Sequence, residues 1–181
     1  MRINDKITYR PVDPKKDLMI AYNIFRETVG PYVIELNGSW PEKPRYDFFK
    51  KGFMEDGMHM LICDNEPIGC FCITESDEAV ILQRMYFDPA FQRQGIGQSL
   101  MALAQERAHE AKKPLELEVL LNNKPAYNAY IKNGFEAYEA KYNYEGQLKK
   151  VLMRHKNTER YMNQSQTVNK TGICPVQYKP V

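Results

Sequence analysis

The stretch Met85-Tyr86-Phe87-Asp88-Pro89-Ala90-Phe91-Gln92-Arg93-Gln94-Gly95-Ile96-Gly97-Gln98-Ser99-Leu100 decides how the chain is read. A strand runs out at Asp88-Pro89, and a loop with two glycines opens into a helix, expected from about Gln98 to Ala111, whose first-turn amides lack helical partners. Such a terminus attracts an anion, because unpaired donors and the helix dipole favour negative charge and glycine lets the backbone approach closely. Arg93 adds a formal positive charge beside it. Two glycines alone would also be explained by a turn. No Gly-Lys-Ser/Thr follows, which excludes a Walker A loop, and the order Q-x-x-G-x-G after three antiparallel strands is a poor dinucleotide fingerprint.

Upstream, alternating runs at residues 58–63, 68–74 and 79–87, with turns at Asp64-Asn65-Glu66-Pro67 and Ser76-Asp77, predict an antiparallel meander. Residues 7–12 read as an opening strand. Asp13-Pro14 then starts a helix with Leu18, Tyr22, Phe25 and Val29 at helical spacing, stopped by Gly30-Pro31. A shorter helix is expected over 44–51 with Tyr46, Phe49 and Phe53 inward; between the two helices, residues 32–40 form an aromatic, acidic connection carrying Glu35 and Trp40. Downstream come a strand at 115–121, a helix at 124–133 and a hairpin of 136–144 with 148–155 turning near Glu145-Gly146. Strand, loop, helix, strand is a crossover, which sets the strands of Ala79 and Leu115 parallel in one sheet. The fold class is α+β: a mixed, mostly antiparallel central sheet with helices on both faces and a β-α-β crossover carrying the anion loop.

Gln92, Gly95 and Gly97 fit the pattern Q/R-x-x-G-x-G/A. Asn123, Pro125, Ala126, Tyr130, Lys132, Gly134 and Phe135 fit a second, N-x-P-A-x-x-x-Y-x-K-x-G-F, one helix and one strand later. On these two motifs residues 7–155 resemble the GNAT superfamily of acetyl-coenzyme A-dependent N-acetyltransferases. The resemblance implies that backbone N–H groups of Gln94, Gly95, Ile96, Gly97, Gln98 and Ser99, beside Gln92 and Arg93, hold the coenzyme A pyrophosphate. It implies that pantetheine bonds to the backbone of Met85, Tyr86 and Phe87, where the crossover strand diverges, and that an amide near Tyr86 or Phe87 polarises the thioester carbonyl. Asn123 and Ala126 would meet the pantetheine arm, although Asn123 equally suits a helix cap. Lys132 would reach the adenosine 3′-phosphate or stay solvated. Tyr130, a phenol with an ordinary pKa of about 10, would donate a proton to the departing thiolate, or be buried and bonded to backbone. Gly134-Phe135 reads as a helix C-cap with a packed anchor.

The acceptor side is less defined. A neutral amine must attack, so a base or a chain of waters is expected to take its proton. Many family members place a glutamate on the strand before the loop, yet residues 79–87 carry no carboxylate. Glu118 and Glu116 share a face of the next strand, as an active-site carboxylate or as an exposed ion-paired surface. Glu118 and Glu35 are the candidate bases, with water mediating. Tyr138, Tyr142 and Tyr144 share a strand parity and could line the acceptor pocket or pack the hairpin.

Composition bounds the rest. A chain of 181 residues with 43% hydrophobic and 27% charged residues is neither disordered nor fibrous as a whole, and a net charge of +2 is too small to mark nucleic acid as the main partner. A basic cluster, Lys149, Lys150, Arg154, Lys156 and Arg160, is explained by a solvated hairpin, with an acidic partner or nucleic acid as the alternative. No apolar run is long enough for a membrane helix and no signal peptide is evident, which points to a cytoplasmic protein. Cys63, Cys70 and Cys72 read as small buried hydrophobes, Cys174 forms no C-x-x-C pair, and the three histidines have no zinc spacing, so no metal is expected. Residues 156–181 are polar and form a tail or docking arm beyond a domain of residues 1–155. The tail carries a net +3 and leaves −1 for the domain, compatible with a cationic amine substrate. The expected activity is direct acetyl transfer from acetyl-coenzyme A to a primary amine in a ternary complex, by a monomer or homodimer. The alternative is a non-catalytic acyl-coenzyme A binder of the same fold.

Overall fold

The computed structural model describes residues 3, 6–54, 57–142 and 148–156. Along the chain run β1 (Ile7–Pro11), α1 (Pro14–Asn37), α2 (Glu42–Phe53), β2 (Met58–Cys63), β3 (Glu66–Glu75), β4 (Val80–Phe87), α3 (Ile96–Ala111), β5 (Leu115–Leu120), α4 (Lys124–Lys132), β6 (Phe135–Tyr142) and β7 (Leu148–His155). The strands form one sheet in the order β1-β2-β3-β4-β5-β7-β6, so the expected α+β sheet is present, with β7 between β5 and β6. Two compact units divide the chain: Met1–Thr74 with Leu82–Ala104, and Glu75–Ile81 with Gln105–Val181. The expected tail beyond Lys156, Tyr144, the turn at Glu145-Gly146 and Cys174 lie outside the described residues.

In the first unit, Asp64 and Asn65 both adopt positive φ, 49° and 67°, the two-residue turn whose twist matches flanking antiparallel strands. β2 therefore returns directly as β3, with Cys63 opposite Glu66. Met58, Met60, Cys70 and Cys72 point from these strands to a core closed by Ala21, Tyr22 and Phe25 of α1 and Phe49 and Phe53 of α2. Cys63 departs from expectation: it is only half-buried, its Sγ 3.8 Å from Asp64 Oδ2.

Helix α1 also departs from expectation by running straight through Gly30-Pro31 to Asn37. Pro31 removes one helical donor, a loss of about 3 kcal/mol in an unsupported helix. Here Thr28 Oγ1 donates to the Ile24 carbonyl at 2.7 Å, Val33 is buried in the next turn, and Trp40 folds back to within 3.7 Å of where a Gly30 side chain would begin. The true stop is Gly38, at φ 76°, whose N–H closes on the Ile34 carbonyl. Tertiary packing thus converts the expected 32–40 connection into two further helical turns bearing Glu35. Helix α2 begins at Glu42, which leaves Pro44 in the first turn where a missing N–H costs little.

The start of α1 is fixed by Asp13, whose side chain accepts from the Lys15 N–H, and by Asp17, which is 1% exposed. Asp17 takes both Arg10 Nη atoms at 2.6 and 2.9 Å and the Asp13 N–H at 2.6 Å. Burial pushes the Asp17 carboxyl up, but the guanidinium and the N–H outweigh it and hold the group below the ordinary value. Asp17→Asn is expected to lower stability by about 2 to 3 kcal/mol, because two charge-assisted bonds go while the buried site stays polar. A urea midpoint within error of the parent would exclude this.

In the second unit, β7 pairs antiparallel with both β5 and β6, so Met153 stands opposite Leu117 on one side and Ala137 on the other. Leu115, Leu117, Val119, Val151 and Met153 are buried on one face; Glu116, Glu118, Lys150 and Arg154 occupy the other. Register shifts between Ala137 and Glu139 and again between Lys141 and Tyr142 interrupt β6. They break the simple parity expected for Tyr138 and Tyr142.

His155 ends β7 packed against Phe135 and beside Gly134, with Gln105 Nε2 3.2 Å from its Nε2. Burial holds its imidazole below the ordinary 6.5, with the Asn133 backbone working the other way. The unfolded chain therefore gains a proton where the folded chain does not. The stability this group contributes is present above the unfolded value and is lost as pH falls through about 6.5 toward the folded value. Melting temperature should fall more steeply from about pH 7 to about pH 5.5 in the parent than in His155→Gln. Parallel declines would remove His155 from this role.

Candidate active site

The loop after β4 is built in the first unit by a series of local caps. Asp88 donates its N–H to the Ile68 carbonyl at 2.8 Å, and its side chain accepts from Ala90 to start a single 3-10 turn over Pro89–Phe91. Gln94 Nε2 returns to the Ala90 carbonyl at 2.8 Å, and Gln92 Nε2 to the Phe87 carbonyl at 3.4 Å. Both glutamine side chains thus brace the turn. Arg93 and Gly95 then take left-handed φ of 61° and 82°, on either side of Gln94, a geometry that turns successive N–H groups into one concavity.

Helix α3 starts at Ile96, two residues before the expected Gln98, because Ile96 and Leu100 are buried and anchor the first turn. Ser99 already donates to the Gly95 carbonyl at 3.0 Å. The amides that α-helical geometry leaves without an intrahelical acceptor are therefore those of Ile96, Gly97 and Gln98, and Ser99 leaves the set expected from sequence. A side chain begun at Gly95 would meet no atom within 4 Å, so the concavity has open space above it; one begun at Gly97 would touch Phe87 and Met85 at 3.7 and 3.8 Å. Gly97 lets the helix start lie on β4.

The strand feeding this loop is irregular. Arg84 adopts φ 55° in the middle of β4, and its carbonyl accepts from Cys70 Sγ at 3.9 Å. Beyond it, Tyr86 meets Phe25 of α1, ring centres 5.1 Å apart, while Met85 and Phe87 face Gly97 of α3. Helices thus lie on both faces of this strand. Gly69 of β3 was not singled out from sequence, yet it lies directly against the backbone of this strand. A Cβ there would stand 2.5 Å from the Tyr86 carbonyl oxygen and 2.8 Å from Phe87 Cα. The signal was a lone glycine inside a strand pattern, a mark of close backbone approach.

An open groove of about 430 Å³ on α1 is lined by Asn23, Arg26, Glu27, Gly30, Pro31, Ile34 and Trp40. Beside it Tyr22 donates to Glu42 at 2.7 Å, Arg26 lies 3.4 Å from Glu42, and Arg45 sits over the Trp40 ring. Glu35 is exposed on the last turns of α1 and does not line the groove.

In the second unit, Asn123 Oδ1 accepts the Ala126 N–H at 3.2 Å and caps α4. Two turns on, Tyr130 sets its ring edge-on to Phe135 at 5.9 Å, and burial pushes its phenol up to about 12. Lys132 is exposed in the last turn, and Gly134 closes the helix at φ 86°. Glu118 has one oxygen on Lys141 and the other on Lys150, 2.8 Å away. Burial pushes its carboxyl up, but the two ammonium groups outweigh this and hold it below the ordinary range. Glu116 is bound by Arg154 at 2.6 Å and by the Tyr138 hydroxyl at 2.9 Å, and Arg154 lies over the Tyr138 ring. Tyr138 is thus engaged with charge, and Tyr142 is 61% exposed. Within the basic cluster, Lys150, Arg154 and Lys156 are each ion-paired, and Arg160 lies outside the described residues. Among the described residues no group of His, Cys, Asp and Glu could hold a metal, and no helix is long and apolar enough to cross a membrane.

The Acetyltransferase (GNAT) family model matches residues 21–135. No curated protein matches the chain. Among solved structures, the ribosomal-protein-S18-alanine N-acetyltransferase of Escherichia coli is similar at TM-score 0.61 and 20% identity, over 82% of this chain and 92% of that one. PaiA N-acetyltransferase of Thermoplasma acidophilum, in complex with coenzyme A, is similar at 0.61 and 18%, over 82% and 98%. A GNAT family acetyltransferase of Elizabethkingia anophelis, with acetyl-CoA bound, is similar at 0.63 and 18%, over 84% and 99%.

Proposed function

The chain belongs to the GNAT acetyltransferase family, and on that premise we propose that it transfers the acetyl group of acetyl-coenzyme A directly to a primary amine in a ternary complex. The observation that carries this reading is the loop after β4. Left-handed Arg93 and Gly95, the open amides of Ile96, Gly97 and Gln98, and the open space above Gly95 together suit a pyrophosphate. The backbone of Met85, Tyr86 and Phe87 takes the pantetheine arm, and an amide near Tyr86 or Phe87 receives the carbonyl oxygen as charge develops on it. Asn123, Ala126 and Lys132 are assigned to cofactor contact. For Asn123 this is additional to its capping role.

The amine nitrogen attacks the thioester carbon, the carbon–sulfur bond breaks, and Tyr130 protonates the departing thiolate. A phenol held near 12 is fully protonated at neutral pH and available as a donor. Proton removal from the amine falls to water. Glu118, held ionised between two lysines, is a weak base, and Glu35 is exposed on the last turns of α1 and does not line the groove. The same lack of a carboxylate on β4 is the observation that favours the second reading, a non-catalytic acyl-coenzyme A binder.

Mixing the protein with acetyl-labelled coenzyme A, with and without amine, separates these. The proposal expects label on the amine and none retained covalently on the protein. Label retained on the protein would replace the ternary mechanism, and binding with no label transferred would favour the binder.

A further inference from the structure

Tyr130 is placed by packing. Burial alone raises its phenol, and among the described residues its hydroxyl takes no hydrogen bond, so the direction of that hydroxyl depends on what the ring rests against. The support is Phe135, edge-on at 5.9 Å, and Phe135 rests edge-on in turn against His155 at 5.1 Å. Rings from α4, β6 and β7 thus form one continuous line within the second unit.

The last ring is a costly choice for its place. His155 is 7% exposed, and an imidazole buried there needs partners for its nitrogens, whereas leucine or methionine would pack on Phe135 without them. The partners are supplied. Gln105 of α3 sets its Nε2 3.2 Å from the imidazole Nε2, and the ring also bonds the Asn133 backbone. Gly134 leaves the room, since a Cβ there would stand 2.9 Å from the same nitrogen. A satisfied polar contact fixes the orientation of a buried ring, which apolar packing alone does not. A second route to Tyr130 runs through the backbone. The Lys156 N–H donates to the Gly134 carbonyl at 2.9 Å, and the Asn133 N–H reaches the carbonyls of Ala129 and Tyr130 at 3.1 and 3.0 Å. The end of β7 is thereby tied to the turn that carries the phenol.

We infer that His155 is a positioning residue of the transfer reaction: oriented by Gln105, it holds Phe135 and the last turn of α4 so that the Tyr130 hydroxyl stays directed at the departing sulfur. The inference rests on the reading of Tyr130 as the acid and adds what keeps that acid in place.

A double-mutant cycle tests it. Parent, His155→Ala, Tyr130→Phe and the double variant are assayed for acetyl transfer as full chains, with melting curves showing that each is folded. His155→Ala should lower kcat about tenfold, as a slight misplacement of a reacting group does, with the dissociation constant for coenzyme A within about threefold of the parent. The double variant should be no slower than Tyr130→Phe alone, because no hydroxyl is left to misplace. Where His155→Ala does not fold, Gln105→Leu takes its place in the cycle; it leaves the ring, removes the bond that orients it, and should cost about threefold in kcat. Parental kcat in the variant, or a loss that multiplies in full onto that of Tyr130→Phe, overturns the assignment. The nuclear Overhauser contact between the Tyr130 and Phe135 rings is a readout free of turnover and should weaken in the same variant; an unchanged contact also overturns it. The two readings fail separately. A ring contact that follows His155 in a protein that acetylates no amine removes acetyl transfer and keeps the seat. Transfer that is lost in Tyr130→Phe and untouched in the His155 or Gln105 variant removes the seat and keeps the acid.

Discussion

Tyr130→Phe is expected to lower kcat by about a hundredfold or more, the usual span for losing a positioned acid, while the dissociation constant for coenzyme A moves by less than about threefold. The substitution removes one hydroxyl and leaves the ring that sits edge-on to Phe135, so α4 keeps its packing and its Asn123 cap. Burial holds the phenol near 12, so it remains protonated throughout the neutral range. Because an acid acts only while protonated, its loss would cut activity only as pH rises toward that value. The pH–rate curve should show no falling limb from Tyr130 below about pH 10. Steady-state kinetics with a coenzyme A titration decide the matter. Equal losses in turnover and cofactor affinity would make Tyr130 a binding or structural group and not the acid.

The second large effect is expected at Gly69. Its missing Cβ would lie 2.5 Å from the Tyr86 oxygen, 2.6 Å from Phe87 Cβ and 2.8 Å from Phe87 Cα. Two of these neighbours are backbone and cannot swing aside, so β3 would be forced away from β4 where the strand should receive pantetheine. Gly69→Val should cost about 3 kcal/mol or more of stability, in the range of severe overpacking. Gly69→Ala, the milder change, should stay folded yet bind coenzyme A at least about tenfold more weakly, because the displaced segment is Tyr86-Phe87. Urea unfolding and calorimetric titration read the two effects. A folded Gly69→Ala with parental affinity would show that the strand edge is not part of the cofactor site.

These two residues illustrate what could be read from the chain and what could not. The loop from Asp88 to Leu100 was legible because capping, glycine freedom and an orphan helix start are local properties, written within a dozen residues. The Asp64-Asn65 turn and the crossover were legible for the same reason, and with them the family and the sheet. The extent of α1 was not, since proline and glycine are local stop signals and what overrides them is Trp40 folding back on Gly30. Gly69 was missed because its meaning lies in its contacts with Tyr86 and Phe87, far along the chain. Glu118 is singled out by strand parity and by its nearness to the diverging end of its strand. Its two lysine partners come from β6 and β7, whose register no local pattern could have shown. The bulges in β6 likewise undid a tyrosine alternation that looks regular in sequence.

The central claim is that this chain moves an acetyl group from acetyl-coenzyme A to an amine, and amine-dependent thiol release tests it most directly. Free thiol is followed continuously across a panel of primary amines against an amine-free control, with the N-acetylated product weighed by mass spectrometry. The account predicts release well above hydrolysis for at least one amine, matched mole for mole by acetylated product. Tight coenzyme A binding with thiol release no faster than hydrolysis for every amine would contradict it.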